Sequence, residues 1–111
     1  MTSDRECANK YAEQLGVPPI ESLTVDDFII AMSFISSEFR GFFIIKFDGE
    51  RVVGRYTFAL NLIEEKGLSL RKDVDSIVDG IEFIFSELYN NNIIINNNFM
   101  NSCGAGVKPT V

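Results

Sequence analysis

Apolar residues recur along this chain with two different periods, and the changes of period divide it into elements. Cys7, Ala8, Tyr11, Ala12 and Leu15 share one helical face, with Ser3 and Glu6 at capping-box spacing ahead of them. Gly16, Pro18 and Pro19 then stop the helix, because glycine accepts the left-handed cap and proline cannot continue. This first helix is short and weakly apolar, which predicts a surface position. Thr24 opens a second helix, with Asp26 and Asp27 in the first turn where the dipole favours negative charge. Val25, Phe28, Ile29, Met32, Ile35, Ser36 and Phe39 follow at helical spacing, while Ile30 and Phe34 widen the stripe and predict cover on two sides. A strand over residues 28–35 is the competing reading, since short apolar runs fit both periods.

The stretch "GFFIIKFDGERVVGRYTFALNL" alternates with period two around Asp48-Gly49, a dipeptide that accepts the positive φ angles of a two-residue hairpin turn. That turn would pair Phe47 with Glu50, Ile45 with Val52 and Phe43 with Gly54. One face then carries Phe43, Ile45, Phe47, Val52, Tyr56, Phe58, Leu60 and Leu62. The other carries Phe42, Ile44, Lys46, Arg51, Val53, Arg55, Thr57 and Asn61. Residues 57–62 lack a partner in this register, so another strand must supply one. Ile93, Ile94 and Ile95, set between two asparagine triplets, are β-branched and predict a short strand flanked by turns. The alternative is a disordered low-complexity tract. Between hairpin and isoleucines, Asp73 is read as the N-cap of a helix over residues 73–89, buried through Val74, Ile77, Val78, Ile81, Ile84, Phe85 and Leu88.

The expected class is α+β: two N-terminal helices, an antiparallel β-hairpin, a long amphipathic helix and a short C-terminal strand, with the helices packed on a small antiparallel sheet. The 111 residues suit one domain, and residues 101–111 read as a loose C-terminal tail. An apolar fraction of 46%, ten phenylalanines among it, is enough for a packed core without a metal or disulfide staple. Cys7 and Cys103 are far apart and outside metal-binding spacing, and the charged N-terminus shows no secretory signal, so free thiols in a cytoplasmic protein are expected. The densest apolar stretch, residues 28–47, is broken by polar residues, which predicts no membrane span.

The absence of histidine removes Ser-His-Asp and Cys-His catalysis and histidine metal sites. No glycine-rich phosphate loop is present, and the acidic pairs Asp26–Asp27 and Glu64–Glu65 fit a helix cap and a solvated loop better than an acid–base pair. No catalytic residue, metal or cofactor is therefore expected. A net charge of −6 argues against direct nucleic-acid binding and in favour of a basic protein partner.

Three surface features remain. Asp75, Asp79 and Glu82 stand at i, i+4 and i+7, extended by Asp73 and Glu87, with no basic residue from 73 to 89. Like charges at this spacing repel, so the stripe either serves a partner or is a solvated face that promotes solubility. Lys46, Arg51 and Arg55 form a basic cluster beside Phe42 and Ile44, to be neutralised by Glu38 or first-helix acids, or else open to an anion. The loop "EEKGLSLRKD", with Glu64 and Glu65, is long enough to carry contacts.

In size, acidity, lack of active-site motifs and α+β pattern over residues 3–99, the chain resembles the immunity proteins of bacterial contact-dependent growth inhibition systems. The resemblance implies a cytoplasmic one-to-one complex with a basic toxin domain, frequently a nuclease. The partner-binding residues would be Asp73, Asp75, Asp79, Glu82, Glu87, Glu64 and Glu65. Two other classes stay open: a structural or adaptor subunit assembling through Phe42 and Ile44, and an anion-binding domain built on Lys46, Arg51 and Arg55.

Overall fold

Ser3 begins the first helix with a reciprocal capping box: its hydroxyl accepts from the Glu6 amide, and the Glu6 carboxylate accepts from the Ser3 amide. The computed structural model describes residues 3–95. Helix α1 (Asp4–Leu15) ends at Gly16, whose φ of 82° is the left-handed cap that stops it. Helix α2 (Val25–Glu38) is capped by the Thr24 hydroxyl, so the helical reading of residues 28–35 holds and the strand reading does not. Phe28, Ala31, Met32 and Ile35 are buried, but Val25, Ile29 and Ile30 are exposed. The expected cover on two sides is absent because the sheet offers only one surface to pack against.

Strands β1 (Phe42–Phe47), β2 (Tyr56–Leu62) and β3 (Leu68–Val74) form an antiparallel sheet in the order β1-β2-β3, with a single-turn helix α3 (Ile63–Lys66) between the last two. Helix α4 (Ile77–Asn90) follows. The fold is α+β, as expected: α2 and α4 cover the inner face of the sheet, and α1 lies along α4. The surface position expected of α1 holds for its outer side, while Ala8, Tyr11, Ala12 and Leu15 are part of the core.

The hairpin exists, but its turn is longer than the Asp48-Gly49 pair. Phe47 faces Tyr56, Ile45 faces Phe58 and Phe43 faces Leu60, leaving residues 48–55 as the connection. Asp48 N–H donates to the Arg55 carbonyl at 2.7 Å, and an Asp48 side-chain oxygen accepts from the Glu50 amide at 3.0 Å, so Asp48 still organises the loop. The two-residue turn would have set Phe43 against a glycine. The observed register gives each inward residue of β1 an aromatic or aliphatic neighbour, and that burial outweighs the compact turn. The displacement is six residues, an even number, so the two faces read from the alternation survive within the strands. Val52, expected inward, is instead 91% exposed in the loop.

The third strand is also not the expected one. Residues 57–62 are completed by β3, with Leu60 opposite Leu70 and Leu62 opposite Leu68. The segment read as a loop is thus α3 and a strand. Ile93 is buried and its carbonyl accepts from the Tyr11 hydroxyl at 2.8 Å, but residues 93–95 form no strand. A place in the core beside α1 and α4 satisfies Ile93 without a ladder. Asn91 and Asn92 do make a turn, with Asn92 at a φ of 55°. The second asparagine triplet, Cys103 and the tail expected over 101–111 lie outside the described residues.

Helix α4 starts four residues later than expected. Its N-cap is Ser76, whose hydroxyl accepts from the Asp79 amide, because Val74 is drawn into the inner face of β3. Val78, placed in the buried stripe by its spacing, is exposed. Among the described residues, no helix is long and apolar enough to cross a membrane.

Candidate functional site

The corner between β3 and α4 gathers acids from both elements. Asp73 sits near the end of β3, Asp75 at the corner, Asp79 in the first turn of α4 and Glu82 one turn further. Asp4, from the first turn of α1, joins them. With Lys72, Val74 and Phe83 these five carboxylates line an open cleft of about 240 Å³. The acidic stripe read along one helix is therefore a cleft built by three elements, with only Asp79 and Glu82 on α4.

The five acids are not equivalent. Asp73 accepts from the Thr57 hydroxyl at 2.6 Å and from the Arg51 guanidinium at 2.9 Å, with Arg71 at 3.8 Å. The Thr57 hydrogen bond, then Arg51, holds its carboxyl below the usual carboxylate range. Asp75 accepts from the Gly54 amide, which ties the hairpin loop to the corner. Glu82 pairs with Arg5, which also reaches Glu21 at 2.8 Å. Among the described residues, the side chains of Asp4 and Asp79 have no hydrogen-bond or ion-pair partner, and Asp75 has the Gly54 amide but no ion-pair partner, so these three acids carry the cleft charge that no ion pair neutralises.

One cation already sits at the rim. Lys72 Nζ lies 5.4 Å from the centroid of the Phe83 ring, a cation–π distance. A negative field beside an aromatic face is complementary to a guanidinium or ammonium group brought by a partner. Among the described residues, no group of three or more acids and cysteines has the arrangement to hold a metal ion.

The remaining expected residues fall elsewhere. Glu87 is about one turn along α4 beyond Phe83, where the cleft ends, and Glu64 and Glu65 are on α3, at the opposite end of the sheet from Val74. Glu65 faces Arg40 at 3.5 Å. The basic cluster is not assembled. Lys46 stands opposite Thr57 and not Arg51, while Arg51, in the loop, pairs with Asp48 at 3.3 Å and with Asp73. Its neutralising acids are thus Asp48 and Asp73, in place of Glu38 or the first helix, because the longer connection carries Arg51 over to β3. Arg55 is exposed at the end of that loop and Phe42 on the outer face of β1.

Sequence reasoning missed Asp4, Lys72 and Phe83. Leu68, Leu70 and Val74 alternate with period two, and that signal would have revealed β3 and placed Lys72 at the sheet's edge.

The Asp73 clasp sets a pH expectation. Its carboxyl is more acidic folded than unfolded, so its stabilisation is present above the ordinary carboxylate range, near pH 4, and is lost as pH falls through the folded value. Denaturant melts of the parent and Asp73→Asn across pH 2–6 check this, with the parent expected to lose stability more steeply on acidification. Parallel pH profiles would remove the clasp's role.

No protein family matches this sequence, and no curated protein or solved structure matches it significantly.

Proposed function

We propose that the protein is an immunity protein or antitoxin that neutralises a basic toxin domain, such as an RNase, by one-to-one masking of its active site in the cytoplasm. The observation that carries this reading is the cleft itself: acids from α1, β3 and α4 converge on one opening, and two of them have no internal partner. An enzyme that grips phosphates presents clustered Lys and Arg, and preorganised carboxylates can take the place of its substrate's phosphates. Arg5, Arg51 and Thr57 hold two of the acids, Glu82 and Asp73, in position before the partner arrives, which lowers the ordering cost of association. The inhibitor has no catalytic step of its own; occupancy is its whole effect.

The test is titration against the product of the adjacent gene, where this reading expects the toxin domain, in low and in high salt. Asp4→Asn with Asp79→Asn is the informative variant, because neither side chain has an internal partner to lose. It should melt close to the parent, yet bind more weakly by about 1–3 kcal/mol for each desolvated ion pair that can no longer form, with slower association and a flatter salt dependence. In cells, protection should fail while protein levels stay normal. Unchanged affinity in both salts would reduce the cleft to a solvated surface and overturn the reading.

A further inference from the structure

The connection between β1 and β2 ends in an apolar tip. Val52 is 91% exposed and Val53 72%, the highest values for large apolar side chains among the described residues. Turns ordinarily carry Gly, Asn, Asp or Ser at such positions, and two valines in solvent add nothing to the core. The tip is nonetheless clasped on both sides. Before the valines, the Arg51 amide donates to the Asp48 carbonyl at 3.4 Å, and its guanidinium donates to the Asp73 carboxylate at 2.9 Å. After them, Gly54, at a φ of 63°, donates its N–H to Asp75. The Arg51 guanidinium also donates to the Gly54 carbonyl at 3.2 Å, which closes a ring around the two valines.

We propose that Val52 and Val53 are the apolar contact of the surface that takes the basic protein partner, and that they enter an apolar pocket beside that partner's cationic site. For its partner this inference rests on the inhibitor reading of the cleft. The two surfaces are continuous: Asp73 and Asp75, the carboxylates that clasp the tip, also line the cleft. A chain seated in the cleft therefore meets the valines at its margin.

Charge selects this occupant over the others. Within the loop Asp48 pairs with Arg51, and the exposed Glu50 and Arg55 balance each other, so the field at the tip is set by the cleft. There Asp4, Asp75 and Asp79 have no ion pair, which repels an anionic lipid surface. A second copy of this chain brings its own −6 and is repelled likewise. A basic protein is attracted. The division of labour is physical: carboxylates steer and orient the encounter, while buried apolar surface slows dissociation and is indifferent to salt. Valine has a single stiff χ angle and the clasps already fix the backbone around it, so docking costs little further ordering.

Affinities and rates toward the adjacent gene's product, measured at low and high salt, test the proposal. The parent is compared with Val52→Ser combined with Val53→Ser, and with the Asp4→Asn, Asp79→Asn variant of the cleft. The valine variant should melt with the parent, because neither side chain is in the core. It should bind at least about tenfold more weakly at both salts alike, through faster dissociation. The cleft variant should instead associate more slowly, its loss shrinking as salt is added. If the valine variant binds as tightly as the parent while the cleft variant is weakened, this inference falls and the cleft reading stands. A valine loss that disappears in high salt overturns it too. If only the valine variant is weakened, the cleft reading falls and the valines remain the contact. A parent that does not bind this product at all overturns both.

Discussion

Phe28→Ala is expected to remove about 3–5 kcal/mol of folding stability, the range for deleting a fully buried aromatic ring. Phe28 has no exposed surface, and its ring meets three others: Phe43 edge-on at 5.4 Å, Phe85 at 5.6 Å and Phe58 at 6.0 Å. These neighbours come from β1, α4 and β2, so a single side chain of α2 joins the helical layer to two strands. Because the walls belong to three different elements, the cavity has no easy way to collapse, and the upper part of the range applies. A domain of this size has about 5–15 kcal/mol in all, so the variant should sit near its unfolding threshold. Urea unfolding followed by circular dichroism measures it. A loss below about 1 kcal/mol would mean that α2 is not anchored through this ring.

Gly80→Ala is expected to destabilise by about 1–3 kcal/mol, although helix propensity taken alone predicts a gain of about 1 kcal/mol. Gly80 lies in the first turn of α4, buried directly over Phe58. A Cβ there would lie 2.2–2.4 Å from three atoms of the Phe58 ring, far inside van der Waals distance. The ring cannot retreat, since it is fully buried with Phe28 at 6.0 Å and Phe43 at 6.1 Å behind it. Overpacking therefore outweighs propensity. Gly80→Ala combined with Phe58→Leu should recover part of the loss, and a double-mutant cycle on the denaturant midpoints reads that coupling. A stabilised single variant would mean that α4 packs at a greater distance from β2.

The two results concern residues of different legibility. Phe28 stands out in the sequence as the centre of an apolar helical stripe. Gly80 does not, because its role is the closeness of a ring that arrives from 22 residues earlier in the chain, counting from position 58 to position 80. The same division runs through the candidate site. The acids Asp73, Asp75, Asp79 and Glu82 were recognisable as a run of like charges, which ordinary surface helices avoid. That Asp4 completes them, and that Arg5, Arg51 and Thr57 fasten some of them and leave Asp79 unfastened, depends on contacts across most of the chain length.

Read alone, the sequence determined whatever rests on neighbours a few residues apart: the capping box at Ser3, the stop at Gly16, the cap at Thr24, and the alternation that sorts Phe43, Ile45, Phe58 and Leu60 to the inner face. These depend on local hydrogen bonds and on the period of the backbone, which act at short range. Tertiary structure decided the hairpin register, the choice of residues 68–74 over 93–95 as the third strand, and the start of α4 at Ile77. Each of those is a competition between locally acceptable arrangements. The winner was the one that buried the most apolar side chain against partners distant in the sequence, a quantity that no short window of residues contains.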